Sequence, residues 1–258
     1  MSTLKSIFIH QKILKKMSIV ILIIFTQNMI SCKKENWCDC VKNTGKIIKE
    51  ERTVSPFTEV ELYNNVNLFI KQDSIFKISV EAGNHLISLI ETSVTNNKLT
   101  IKNHNKCNWV RSYEKPINVS ISVKNINHII YYGSGNITST NTLTGSDLNV
   151  ESFYGGSSIN LSVNVETIHS AIHTGPADLN ISGYATISYV YCAGNGFIRF
   201  DNLYTNDTYL ENKGTGNCYV WVNSTFVAEL HYIGDVYYKG DPHSITTDIT
   251  GTGRLIKN

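Results

Sequence analysis

Hydrophobic and polar residues alternate in short runs along the first half of the chain. Val66, Leu68 and Ile70 are apolar positions two residues apart, and four other runs repeat this period of two. Such alternation is typical of strands with one buried face. The Asn pairs at 64–65 and 96–97 fall between runs and favour turns. The pattern therefore predicts half-buried strands joined by hairpins, at 60–62, 66–70, 76–80, 99–101 and 119–123.

From about residue 129 a repeat replaces the hairpin pattern. Glycines recur at intervals of 17 to 22 residues, and the residue four positions after each of them is apolar. Two positions after most of these glycines the side chain is minimal, which marks a sharp corner or a close backbone approach. The repeating glycines are Gly133, Gly155, Gly175, Gly194, Gly214, Gly234 and Gly251.

Short strands separated by small-residue corners, about 20 residues per repeat, predict a β-solenoid. In such a fold each coil buries its face only against its neighbours. The sequence thus predicts an all-β domain with solenoid coils preceded by hairpin strands. A β-sandwich with evenly spaced hairpins is the alternative.

The corners carry a resemblance to a known family. The motifs Gly133-Ser134-Gly135, Gly194-Asn195-Gly196 and Gly214-Thr215-Gly216, together with the later Gly-Asp-Pro and Gly-Thr-Gly at 240–242 and 251–253, resemble the putative auto-transporter adhesin family with the head GIN domain. The resemblance covers about residues 52–257. At Gly234-Asp235-Val236 the second glycine of the motif is missing. The resemblance implies an exported lipoprotein of Bacteroidetes-type bacteria that acts in adhesion, and it brings no catalytic residues with it.

The N-terminus has the pattern of an export signal. Four lysines without an acid precede a short apolar run that begins at Met17, which could itself be the true start. The run is shorter than the roughly 20 residues that a membrane span needs. The tail Met29-Ile30-Ser31-Cys32 resembles a bacterial lipobox, which would make Cys32 the lipidated N-terminus of an outer-membrane lipoprotein, facing the periplasm or the cell surface. A plain signal peptide or a short anchor is the alternative. We expect a signal peptide at 1–31, a polar tether at 32–52 and the β-domain at 53–258.

Charge changes the picture once the leader is removed. The whole chain has a formal charge of +2, but the leader holds four lysines and no acid, so the mature protein is at −2. A charge of this size predicts neither a nucleic-acid partner nor polybasic attraction to anionic lipid. Attachment to the membrane would depend on acyl chains at Cys32.

Five cysteines remain after Cys32. Export places them in a compartment that permits disulfides. Cys38 and Cys40 are too close in sequence for an unstrained bond, so we expect one of them to pair with Cys107. Cys192 and Cys218 complete the set.

Candidate catalytic and metal chemistry is sparse. His169 and His173 are four residues apart, which places them about 13 Å apart along a strand, and His231 lies nearby in the repeat. This spacing does not predict a metal site. Asp201 and Asp241, with Arg199 beside them, could serve a carbohydrate-cleaving solenoid, but two coils separate them by about 10 Å. The sequence therefore predicts no catalytic residues, no metal and no cofactor.

Aromatic and basic residues at outward positions give the candidate binding surface. We expect an exposed ribbon of rings and cations that suits a glycan or a surface protein. Stacking that merely stabilises the coils explains the same pattern equally well. The ribbon consists of Phe197, Arg199, Tyr219, Tyr237 and Lys239. A purely structural envelope role is a further alternative, and the uncapped last coil leaves room for a homo-oligomer.

Overall fold

Strands make up most of the chain that the computed structural model describes, which is residues 43–106 and 115–258. These residues contain one short 3₁₀ turn, Ile87–Leu89, and no α-helix. The predictions at Cys32, Cys38, Cys40 and Cys107 lie outside the described residues. The strands are β1 Ile47–Arg52, β2 Glu59–Asn64, β3 Val66–Gln72, β4 Lys77–Gly83, β5 Ile90–Thr95, β6 Lys98–Asn103, β7 Ile117–Val123, β8 His128–Gly133, β9 Ile137–Ser139, β10 Leu143–Phe153, β11 Ser158–Thr174, β12 Asp178–Cys192, β13 Ile198–Asn212, β14 Cys218–Leu230, β15 Val236–Lys239, β16 Ser244–Ile249 and β17 Leu255–Lys257.

The second half is a parallel β-solenoid. Strands β10 to β14 pair in parallel, each with the strand one coil later. Ile159 pairs with Leu179, Leu179 with Ile198, and Ile198 with Cys218, so one inward column runs through successive coils. All four residues are buried. The predicted solenoid with coils of about 20 residues is confirmed, and the β-sandwich alternative is wrong.

The solenoid begins earlier than the glycine repeat indicated. Strands β2 and β3 are not a hairpin: β2 pairs in parallel with β6 and β8, and β3 with β7 and β9. Asn64, with a φ of 61°, turns the chain at a coil corner rather than at a hairpin. The first coil thus lies between two layers that come later in the sequence.

The hairpin predicted at Asn96 and Asn97 is confirmed. Strands β5 and β6 are antiparallel across it, and both residues have a positive φ, at 51° and 64°. Positive φ at both central residues is the geometry of a type I′ turn, whose twist matches that of the strands.

Antiparallel strands close the N-terminal end of the stack. Strand β4 pairs antiparallel with β7, and β1 pairs antiparallel with β4. Residues 47–52 are the end of the predicted tether, and the structure places them in the sheet as β1. Their charged sequence pointed to solvent, and all but Arg52 are exposed, but their backbone is paired along its full length. Residues 43–105 and 115–258 pack as one compact unit around the continuous core that these layers share.

The corners stack in columns of small residues. A Cβ on Gly216 would collide with the carbonyl oxygen of Gly196, and one on Gly234 would collide with that of Gly216. Gly234 is therefore the second small residue of its corner, and Tyr232 holds the first position, where its backbone meets Gly251. The apparent loss of a glycine at 234–236 was a misaligned corner.

Because this corner begins at Tyr232 and not at Gly234, the pairing register of the last coils shifts by two residues. Cys218 pairs with Val236, not with Tyr238 as the glycine count predicted. A shift of two preserves the inward and outward alternation, so the outward residues of β15 remain outward.

Candidate functional site

The predicted ribbon forms one surface on β13, β14 and β15. The rings of Tyr219 and Tyr237 stack with centroids 4.9 Å apart and planes 10° from parallel. The guanidinium carbon of Arg199 lies 4.7 Å from the centre of the Phe197 ring and 5.8 Å from that of Tyr219. The four residues therefore make a continuous ladder of rings and a cation.

Lys239 stands in the neighbouring column. Because of the two-residue shift it pairs with Trp221, and its ammonium lies 4.5 Å above that ring. Trp221 in turn meets Tyr204 edge to face at 5.3 Å. Trp221 was not among the predicted residues, although its position two residues after Tyr219 marks it as outward.

Acidic side chains form hydrogen bonds and ion pairs at the edges of the ribbon. Asp178 accepts a hydrogen bond from the backbone N–H of Phe197 at 2.8 Å and lies 3.9 Å from Arg199. Asp235 binds the guanidinium of Arg254 at 2.8 Å. That contact lowers the pKa of Asp235 from its ordinary value, so the carboxylate stays ionised beside Tyr237.

Two further ladders lie on the strand segments that precede the corners. The long ladder stacks Tyr63, Tyr132, Phe153 and His173, with centroids 4.8, 5.3 and 4.1 Å apart. Lys102 lies 4.2 Å above the Tyr63 ring at one end. This ladder crosses from the inserted first coil into the glycine-repeat coils.

The short ladder stacks His169, Tyr189 and Tyr209, with centroids 4.7 and 5.1 Å apart. Tyr189 and Tyr209 are 40% and 38% exposed. In the next coil the short side chain of Val227 takes the position that pairs with Tyr209. Among the described residues, no ring therefore stacks on this face of Tyr209.

A groove of about 500 Å³, which we call the ring groove, runs along the short ladder, and His173 is the residue of the long ladder that lines it. The floor of the groove is a column of paired residues that begins with Glu151 and Ala171. The Ala171 side chain is small, so it leaves space between the rings of the neighbouring columns. Of the described residues that line the groove, none is Lys or Arg. The lining residues are Asn149, Glu151, His169, Ser170, Ala171, His173, Tyr189, Val190, Tyr191, Tyr209, Leu210, Glu211, Val227 and Glu229.

Glu151 joins three coils at the start of the groove. Its carboxylate is 2.9 Å from Nε2 of His128 and 2.8 Å from Nε2 of His173. Burial by itself would raise the pKa of Glu151, but the hydrogen bonds to the two imidazoles outweigh it and lower the pKa from its ordinary value. The group is therefore an ionised, positioned acceptor.

At the other end, Glu211, Glu229 and His231 bring ligand atoms within 4.8 Å of one another. Such a set could in principle hold a metal ion. The ammonium of Lys213 already lies 2.5 Å from Glu211, and Nε2 of His231 lies 3.4 Å from Glu229. The Lys213 ammonium thus already partly neutralises Glu211 without an ion.

The histidines discussed from sequence separate in the structure. His169 stacks on Tyr189 and His173 on Phe153, so the two belong to different ladders. His231 approaches Glu211 and Glu229 instead of either of them.

The two candidate catalytic acids also separate. Asp201 lines a polar groove of about 540 Å³ together with Arg199 and Asn180, and Asp241 is not among its lining residues. Asp241 forms an exposed ion pair of 2.8 Å with Lys257. The expected separation of Asp201 and Asp241 by two coils depended on counting residues from the repeating glycines. That count fails at the corner that contains Gly234.

The glycine spacing does not predict the ring groove, for a similar reason. His169, Tyr189 and Tyr209 stand at slightly different distances before their glycines, because the coils differ in length. Aligning the buried alternation of each strand, instead of the glycines, would place the three residues in one column.

Fold and surface together define a class of protein: a parallel β-solenoid whose coils present stacked rings, cations and carboxylates along shallow grooves. Residues 56–242 match the family described as "Putative auto-transporter adhesin, head GIN domain", and the chain belongs to this family. The expected family resemblance is thereby confirmed. No curated protein matches the chain significantly.

Several solved structures share the fold at low sequence identity. A putative adhesin from Bacteroides fragilis NCTC 9343 superposes with a TM-score of 0.77 at 20% identity, covering 83% of this chain and 97% of that one. A putative lipid binding protein from Parabacteroides distasonis ATCC 8503 gives 0.64 at 15% identity, covering 84% and 98%. A putative adhesin from Parabacteroides merdae ATCC 43184 gives 0.62 at 16%, with the same coverage.

Within residues 43–106 and 115–258, the structure contains no helix with the length and hydropathy of a membrane span.

Proposed function

We propose that the protein is an exported, non-enzymatic binding module that acts in adhesion through its stacked aromatic surface. The ring groove is the observation that carries the proposal. It is concave, it is walled by rings from successive coils, and its floor offers hydrogen-bonding groups. Apolar walls with a few placed polar groups are the usual composition of a ligand site.

The chemistry of the groove favours a glycan without acidic groups. Stacking covers most ring faces within the ladders, so hydroxyls, ring edges and the one unstacked face of Tyr209 remain for a ligand. The carboxylates of Glu151, Glu211 and Glu229 accept hydrogen bonds from sugar hydroxyls and repel anionic sugars. The column from Asn149 to Val227 crosses four coil intervals, about 19 Å at about 4.8 Å each, which suits an extended chain.

The ribbon of Phe197, Arg199, Tyr219, Tyr237 and Lys239 is proposed as a second contact surface, for a glycan or a protein partner. It carries two cations, Arg199 and Lys239, where the ring groove carries carboxylates. The two surfaces therefore select different partners.

A glycan array with matched variants tests the assignment. We expect Tyr189→Ala with Tyr209→Ala to abolish binding to neutral or amino glycans. Arg199→Ala with Tyr219→Ala and Tyr237→Ala should leave that signal unchanged and reduce only contacts made by the ribbon. Tyr232→Ala is the control, because Tyr232 is 51% exposed at a corner and belongs to neither ladder. Unchanged binding in the first variant, with its fold intact by circular dichroism, would refute the groove.

Attachment to the envelope is proposed to follow from the leader. After removal of residues 1–31, acylated Cys32 would anchor the domain to the outer membrane, through a tether that ends before β1 at residue 47. Cys32→Ser should move the protein from the membrane fraction to the soluble periplasmic fraction. An unchanged membrane fraction would contradict lipidation at this residue.

A further inference from the structure

The last coil leaves the end of the core open. Ile245 and Ile249 of β16 pair with Phe226 and Leu230 of β14, which are fully buried. They therefore belong to the inward columns of the solenoid. Yet Ile245 is 42% and Ile249 is 47% exposed, because no described coil lies beyond them.

The backbone of β16 is open on the same side. Among the described residues, β16 pairs only with β14, so the N–H and C=O groups of its other edge face solvent. Exposed apolar positions beside a free row of backbone groups are what a further strand binds.

The opposite end of the same sheet is covered. There β5 is the outer strand, and its inward Ile90 is only 2% exposed. The guanidinium of Arg52, from β1, donates hydrogen bonds to the carbonyl of Ile90 and to the hydroxyl of Thr92. The inward residues of β16 have no such cover among the described residues, so the two ends differ in their capacity to bind a further strand.

We propose that β16 is the interface for a second copy of this chain, which adds its own β16 antiparallel across a two-fold axis. Centring the axis at Thr247 places Ile245 opposite Ile249 of the other copy and Thr247 opposite itself. The inward faces of both copies then form one continuous core.

This register keeps like charges apart and is compatible with a two-fold axis. Asp248 lies opposite Thr246 of the other copy, so no like charges face each other directly, an arrangement that would be unfavourable. The interface is isologous and closes after two copies. Head-to-tail stacking would instead place β16 against β5, whose end is covered by Arg52, and this disfavours a filament.

Cysteine cross-linking tests the register, because only a residue on the axis meets itself. In the full-length chain carrying Cys32→Ser, which removes the lipid, Thr247→Cys should give a disulfide-linked dimer without reductant. Thr246→Cys, one residue away, should not exceed the parent protein, since its mate would lie opposite Asp248.

Light scattering after size exclusion measures the association without any cross-link. The Cys32→Ser protein should have twice the monomer mass at high micromolar concentration, and Ile249→Lys should return it to the monomer mass with an unchanged circular dichroism spectrum. A monomer at all concentrations, or equal cross-linking at 246 and 247, would overturn the proposal. Glycan binding by the ring groove is a separate measurement, so either result can fail alone.

Discussion

At the scale of single residues, the corners set the distance between coils. The small residues at the second corner position allow each backbone to contact the carbonyl of the corner before it, as Gly216 does with Gly196. A side chain on Gly216 has no space, because the atoms nearest to it are backbone atoms of Gly196 and Asn195.

Gly216→Ala should therefore lower the free energy of unfolding by about 1–3 kcal/mol, the typical cost of overpacking. Gly156→Ala is the control, since a Cβ there meets nothing closer than 3.6 Å. Urea unfolding of both variants checks the difference. Equal stability of the two would show that the corners can separate without strain.

Buried side chains seal the same corners from inside. The hydroxyl of Tyr131 donates to the carbonyl of Gly135 at 2.7 Å, and the amide of Asn212 donates to that of Gly216 at 3.0 Å. Burial raises the pKa of Tyr131 to about 12, so it remains a donor at physiological pH. In these two coils a residue four positions earlier thus satisfies the corner carbonyl.

At the scale of strands, polar contacts connect neighbouring coils, just as the stacked aromatic rings do. Glu151 of β10 connects His128 of β8 to His173 of β11. Because the folded protein lowers the pKa of Glu151, its carboxylate stabilises the fold above the pKa of the unfolded chain. That contribution is lost as pH falls through the lowered pKa.

Glu151→Gln should lower the melting temperature near neutral pH, and the difference from the wild type should shrink as the solution is acidified below the pKa of Glu151. Melting curves across this range check the sign. Glu166→Gln, at an exposed position of β11 outside the ladders, should show little effect at any pH. A difference that grows on acidification would contradict the role of the ionised carboxylate.

The sequence predicted what depends on local pattern. Alternation identified the strands, glycine spacing identified the coils, and Asn96 with Asn97 identified a true hairpin. The insertion of β2 and β3 between later layers has no local signature, because Asn64 suits a coil corner as well as a hairpin. The ring groove depends on register between coils of unequal length, which the distance to the next glycine does not give. The misassigned corner at Tyr232 shifted the last coils in addition.

At the scale of the whole molecule, the inserted first coil is central, because later strands pair with β2 and β3 on both sides. Leu68 of β3 is fully buried and lies between Val119 of β7 and Ile137 of β9. Leu255 of β17 is also an inward leucine, but it is covered from one side only.

Leu68→Ala should cost about 2–5 kcal/mol, the range for a fully buried leucine, and should speed hydrogen exchange in both β7 and β9. Leu255→Ala removes the same atoms from the open end and should cost less than half as much, with faster exchange confined to β15 and β17. Unfolding curves and exchange mass spectrometry measure both. A purely local effect of Leu68→Ala would show that the first coil is not central to the stack.

The inserted coil also determines the order in which the strands can assemble. A chain that emerges N-terminus first, from a ribosome or from an export channel, delivers β2 and β3 before either of their neighbours exists. Their partners arrive only with residues 98–139, so the earliest segment must wait, with both edges open, for about half of the chain. Each later coil can then add to a finished template as soon as it appears, which divides folding into one slow, non-local beginning and a rapid sequential growth.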